Sequence, residues 1–221
     1  MKLKFLKTIS LSLLLSASCF VNVANAGLIT QLFDTDADII NLTQADNTIL
    51  GTHGKVTELM AVTDVINFWD GIGGQGHFNP SLSFLGNANE TFVVNVTGFV
   101  EILTDGMYTF GTNADDGLKL EIGGNSVIYD DNMHSAQDRF GSLFLSAGMH
   151  SLDLVFWERR GGASLELFAT SGQRSSFDSS FRLVGDTQNG GLATSVPEPS
   201  TLAIFALGVI GLASRRFKKQ S

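Results

Sequence analysis

From Phe92 to Phe168 apolar and polar residues alternate with the period of two that half-buried strands require. In ETFVVNVTGFVEIL, Phe92, Val94 and Val96 share one face and alternate with Val93, Asn95 and Thr97, until Gly98 interrupts the run as a bulge or bend would. DGMYTFGT supplies the next strand. In DGLKLEIGGNSVIYDD, Leu118, Leu120 and Ile122 alternate with Lys119 and Glu121 ahead of a Gly123-Gly124 turn, which is a hairpin signal. GSLFLSAGMHSLDLVFWERRGGASLELF adds three strands, broken at Ala147-Gly148 and at Arg160-Gly161-Gly162. So many short strands predict an all-β fold, a single sandwich or barrel, with 17 phenylalanines to fill its core.

No amphipathic helix is expected between Gly27 and Phe168. The stretch from Gly27 to Asp64 is less periodic, although GLITQLF reads as an opening strand. Ser171 to Ser180 reads as a loop and FRLV, Phe181 to Val184, as a last edge strand, so the β domain spans 27–184. Residues 185–195 read as a flexible spacer.

Both ends carry targeting patterns. Residues 1–26 combine Lys2, Lys4 and Lys7 with an apolar stretch and the small-x-small sequence Ala24-Asn25-Ala26, a signal peptide to be cut by signal peptidase after Ala26. Cleavage removes Cys19, the single cysteine, so no disulfide or cysteine chemistry is available to the exported chain. At the other end, residues 196–221 begin with Val196, Pro197, Glu198 and Pro199, continue through an apolar run from Leu202 to Ala213, and close on Arg215, Arg216, Lys218 and Lys219. That run makes a helix of only about 18 Å, against a bilayer core of about 30 Å, a marginal permanent anchor. The order Pro-Glu-Pro, short apolar helix, basic cluster resembles the PEP-CTERM sorting signal. The resemblance implies an exported substrate of an exosortase-type sorting enzyme, placed at the cell surface or in an extracellular matrix of the biofilm and exopolysaccharide kind, with transient or permanent C-terminal anchoring. A simple tail anchor is the other reading.

The formal charge of -8 understates the domain: between Gly27 and Val196 there are 7 basic against 21 acidic residues, a net of -14. Such a surface repels nucleic acid and anionic lipid and suits divalent cations and neutral or basic polymers.

The middle of the chain resembles the protective-antigen-type domain, a β-sandwich or barrel found in bacterial toxins, glycosidases and fungal adhesins. The resemblance rests on Gly106, Tyr108 and Phe110 in one strand, the turn Asn113-Ala114-Asp115-Asp116-Gly117, the Gly123-Gly124 closure, Ala147 to His150, and Gly161 to Ala163. Neighbouring residues of a strand point to opposite faces, so Asp115 and Asp116 serve one site only if a bulge or a cis peptide bond intervenes. Two ionised carboxylates held together repel, which a divalent cation relieves. In lectin-like members of that family a cis-linked aspartate pair binds Ca²⁺, which receives sugar hydroxyls. The resemblance therefore implies Asp115 and Asp116 as calcium ligands, with Glu158 as a third carboxylate, and a ligand-binding loop made of Asn113, Trp157, Arg159, Arg160 and Gly161. Arg159 and Arg160 depart from the family pattern, which has asparagine and backbone carbonyls there. Without the resemblance, Asp115 and Asp116 equally well cap a surface turn.

Other signals carry less. The acidic run Asp34, Asp36, Asp38 lacks the glycine and glutamate of an EF-hand and reads as a solvated loop. GIGGQG, Gly71 to Gly76, satisfies G-x-G-x-x-G but precedes Asn79-Pro80 rather than a helix, and reads as a mobile loop. Asp130, Asp131 and His134 form a polar loop that lies either near the metal or free in solvent. His53, His77 and His150 lack ligand spacing. Trp69 and Trp157 serve as core or as sugar-stacking platforms, with core the default. No nucleophile or zinc motif stands out, and aspartates converging on one ion do not make the separated carboxyl pair of a glycosidase, so no enzymatic activity is expected. The expected function is calcium-dependent glycan or exopolysaccharide binding, with a ligand-free structural matrix protein as the alternative and a glycan-active hydrolase as the second alternative.

Overall fold

Residues 26–54, 56–86 and 90–196 are described by the computed structural model, and every period-two run is a strand in it. In chain order these are β1 (Leu28–Thr35), α1 (Leu42–Ile49), β2 (Val56–Thr63), β3 (Asn67–Trp69), β4 (Thr91–Ile102), β5 (Gly106–Asp115), β6 (Leu118–Ile122) and β7 (Asn125–Asp130). They continue with β8 (Gln137–Leu145), β9 (Gly148–Arg159), β10 (Ser164–Ser171), β11 (Arg182–Leu183) and β12 (Thr194–Ser195). One antiparallel sheet runs β2-β1-β4-β9-β6-β7, with β12 also on β4; the second runs β11-β10-β5-β8, with β3 also on β10. The two sheets stack as a β-sandwich, and neither closes into a barrel.

Alternation places the core between them. β4 and β9 pair along their full length, from Thr91 opposite Arg159 to Ile102 opposite Gly148. Phe92, Val94 and Val96 from β4 and Leu152, Leu154 and Phe156 from β9 meet Ala114, Phe110, Leu165 and Leu167 from the other sheet. Each such fully buried valine, leucine or phenylalanine contributes about 1.5–3 kcal/mol.

The helix α1 corrects the expectation that none exists. Asn41 caps it, its side chain accepting from the Gln44 amide at 2.9 Å. Leu42 and Ala45 cover a second apolar layer on the outer face of the first sheet, formed by Phe33, Val93, Val155 and Trp157. Eight residues give two turns, too few for a helical period to show in the sequence.

The expected flexible spacer is also folded. Residues 187–189 form a 3₁₀ turn capped by Asp186, and β12 pairs with Val100 and Phe99 of β4. β1 and β12 share one edge of β4 and meet at Gly98, where a Cβ would lie 2.6 Å from Leu28 Cδ2 and 3.0 Å from the Ser195 carbonyl. A Gly98→Val variant is therefore expected to lose about 1–3 kcal/mol and to release β12, raising amide exchange at Thr194 and Ser195. Unchanged exchange there would show that the close approach at Gly98 does not hold the tail.

Among the described residues no helix is long and apolar enough to cross a membrane. The signal peptide up to Asn25 and the sorting residues Pro197, Glu198 and Pro199 lie outside the described residues.

Candidate metal and ligand site

β5 ends at Asp115 and β6 begins at Leu118, leaving Asp116 and Gly117 as the turn. The Asp115–Asp116 peptide bond is cis. Both carboxylates converge with Glu158, from the end of β9, so that one oxygen of each lies within 4.8 Å of the others.

Glu158 stands opposite Phe92 in the β4–β9 ladder, on the core side of the sheet. It is 1% exposed, and neither oxygen has a hydrogen bond of ordinary geometry. Burial first, then the charges of Asp116, Asp115 and Asp70, push its pKa up to about 10, tempered by the nearby Asp116 amide. Burial and the Asp116 charge likewise push Asp115 up to about 6. Burial raises Asp116 as well, against two amides that favour its ionised form: His134 donates to Oδ1 at 2.8 Å and Arg159 to Oδ2 at 3.1 Å. Those amides fix the carboxylate from both flanks.

The buried side-chain oxygens of Asn113, Glu158 and Ser164 that lack partners all lie at this end of the sandwich. Native interiors leave few polar atoms unpaired, and carboxylate and amide oxygens gathered at one point suit a cation. The Trp157 and Arg159 side-chain Nε–H groups nearby are unpaired as well. Asn113 donates its amide to Asp138 at 2.8 Å, which leaves its own oxygen free to ligate.

Not every residue expected in the binding loop lies there. Trp157 is fully buried on the opposite face of its sheet, against α1, because it is one residue out of phase with Glu158. The guanidinium groups of Arg159 and Arg160 both turn to Asp38, at 3.2 and 2.8 Å. The hydrogen bond from Arg159 holds the Asp38 carboxyl below its ordinary range. Asp38, at the exposed end of the acidic run, thus anchors the rim arginines. Arg160 and Gly161 make the loop tip with φ of 96° and 105°.

The polar loop after β7 supports the site from behind. The His134 ring contacts Asp130 at 2.9 Å, and Asp130 also takes Arg139 at 2.5 Å, while Asp131 accepts from the Leu42 amide. His53 and His150 contact backbone carbonyls, and His77 stacks on Phe177 at 3.7 Å, so all three are structural.

The glycine run is the part that sequence reasoning missed. Asp70 takes the Ile72 amide at 2.8 Å and the Ala163 amide at 3.0 Å, and the Trp69 indole donates to the Ile72 carbonyl at 3.0 Å. Gly162 lies so close that a Cβ would fall 2.5 Å from the Ile72 carbonyl, and one on Gly73 would stand 3.9 Å from Asp115 Oδ2. The loop is bolted to the site. Its glycines were the visible signal, since close backbone approach is one of their uses. A groove of about 930 Å³ lies elsewhere, walled by Asn67, Pro80, Leu82, Arg182, Asp186 and Asn189. Arg182 and Asp186 are already committed to holding their own turn there.

Residues 80–171 match the PA14 domain family. The sandwich is a PA14 fold. Residues 195–219 match the PEP-CTERM protein-sorting motif, which marks the protein as exported. The PA14 domain of MpAFP antifreeze protein is similar in structure, at 20% identity over 78% of this chain and 94% of that one, with a TM-score of 0.58. The PA14 sugar-binding domain from an RTX adhesin is similar at 20% identity over 78% and 99%, also with a TM-score of 0.58. The epithelial adhesin 9 A domain from Candida glabrata, in complex with Galβ1-4GlcNAc, is similar at 13% identity over 80% and 93%, with a TM-score of 0.53. No curated protein matches the sequence. Within this PA14 fold the three carboxylates occupy the β5–β6 turn and the end of β9.

Proposed function

We propose that the protein is an exported surface or matrix component whose PA14 domain binds a glycan or exopolysaccharide in a calcium-dependent way. The observation that carries this reading is the convergence of Asp115, Asp116 and Glu158, three carboxylates within 4.8 Å and mostly buried, where three loops meet. Calcium fits that donor set, because it takes carboxylate, amide and carbonyl oxygens in flexible numbers, and Asn113 offers a further oxygen. When bound, the ion supplies a Lewis-acidic centre for sugar hydroxyls. The sugar-binding and adhesin domains of the same fold support the assignment of a glycan. The C-terminal motif supports processing by an exosortase-type enzyme after signal peptidase has removed the leader.

Calorimetry on the full-length protein tests the metal, and a glycan array read with calcium and with chelator tests the ligand. Asp115→Asn is expected to weaken calcium binding about tenfold or more, with the fold intact, since Asp115 lies at the rim and is less enclosed than its neighbours. Calcium binding without any array signal would favour a structural matrix component. Unchanged binding in the Asp115 variant would remove the carboxylate pair from the argument.

A further inference from the structure

We propose that Trp69 and the glycine turn behind it form a third wall of the binding site, with the indole stacking on the apolar face of a neutral sugar ring. This rests on the calcium-dependent glycan reading and adds to it a ligand class and a residue outside the segment matching PA14, residues 80–171.

The ladder sets the geometry. Trp69 pairs with Ser164, and Ser164 pairs with Asp115, so the three stand in one row across β3, β10 and β5. Their neighbours Phe68, Leu165 and Ala114 all point into the core, so the row lies on the other face. Two strand spacings of about 4.8 Å put the Trp69 backbone about 10 Å from that of Asp115. Ser164, between them in the ladder, is 1% exposed and so lies beneath the surface that a ligand would touch.

The wall is rigid. The Trp69 indole is half-buried and held by its bond to the Ile72 carbonyl, and Asp70 ties the turn to Ala163. A platform fixed before binding loses little entropy when a ligand arrives. Gly73 approaches Asp115, a Cβ on it standing 3.9 Å from Oδ2, and Asp115 stays partly exposed. Trp157 offers no such platform, being fully buried.

Charge selects the ligand class. The site gathers three acidic groups in a domain of net charge -14, and the two rim arginines are held by Asp38. With a divalent ion bound, three ionised carboxylates still leave the site net negative. A uronate or sulfated sugar therefore gains less there than a neutral hexose, which presents hydroxyls to one side and C–H groups to the other.

The test uses full-length wild type, Trp69→Ala and Trp69→Phe, with calcium calorimetry and an array of neutral and uronate-containing oligosaccharides. Expected are unchanged calcium affinity in both variants, a loss of about tenfold or more in neutral-glycan affinity for Trp69→Ala, and substantial rescue in Trp69→Phe. Quenching of indole emission is an independent readout, because of the two tryptophans only Trp69 is accessible, and sugar should protect it in the wild type. Equal glycan binding by wild type and Trp69→Ala overturns this inference and leaves the calcium-lectin reading intact. A wild type that binds uronates and no neutral sugar overturns the ligand class, and one that binds calcium but no glycan overturns both.

Discussion

Glu158→Gln is expected to stabilise the calcium-free protein and at the same time to weaken its calcium binding about a hundredfold. In the native chain this carboxyl is 1% exposed, lacks a hydrogen-bonding partner of ordinary geometry, and faces two further acids. Without a cation the site must either retain a proton there or bear buried like charges. Glutamine keeps the shape, spares the folded state the proton that Glu158 must take up at neutral pH, and turns an amide donor toward Asp115 and Asp116. A gain of about 1–3 kcal/mol in calcium-free stability follows, read by denaturant unfolding with chelator present. With calcium the order reverses, because the variant has lost one of three anionic ligands. A variant that is less stable without calcium and binds it as tightly as before would show that Glu158 is packed for structure alone.

The calcium-free protein is also expected to lose stability as pH rises from about 5 to 9, and calcium to abolish that loss. Glu158 is pushed up to about 10 and Asp115 to about 6, and Asp116 is raised too, in each case chiefly by burial. A carboxyl whose pKa is higher folded than unfolded holds its proton more tightly in the native state. Its stabilising contribution is complete below the unfolded pKa of about 4 and disappears as pH climbs toward the folded value. While one proton is at stake the slope is at most about 1.4 kcal/mol per pH unit, with Asp115 adding to it up to about pH 6. Asp130 runs the other way: burial alone would raise it, but the hydrogen bond from Asn132 and the charges of His134 and Arg139 hold it low, so its effect is confined to acid below about pH 4. Calcium binding displaces the Glu158 proton, so its affinity should rise over the same interval. Thermal unfolding across that range, with calcium and with chelator, measures both. Parallel curves would contradict the convergence of these acids on an ion.

Where signals were local, the chain was readable. The strands announced themselves because one face of each is buried and alternation is strict. The aspartate pair stood out because two adjacent carboxylates conflict with that alternation. Glu158 came into view only through the family resemblance, as a carboxylate near the end of β9 where the family's second ligand loop follows. By contrast, α1 was hidden by its two-turn length, and the folding of residues 185–195 by pairing with β4 almost a hundred residues earlier.

The role of Trp157 turned on one residue of phase. A sequence shows that Trp157 and Glu158 face opposite ways, but only α1, packed on the outer face, determines that the tryptophan side is dry. The rim arginines follow the same logic: their charge was visible, and their capture by Asp38, more than 120 residues away, was not.

The order of apolar and polar residues therefore determined the all-β character, the exported character of the chain and the turn that bears Asp115 and Asp116, since each depends on neighbours within a few positions. The choice of an open two-sheet sandwich over a barrel came instead from the pairing of distant strands. Tertiary structure alone decided that Glu158 joins the pair, that the glycine run from Gly71 becomes a wall, and that Trp69 stands in the row of Asp115. Those contacts join segments far apart in the chain, and they form only when sheet register brings distant strand ends to the same edge of the sandwich.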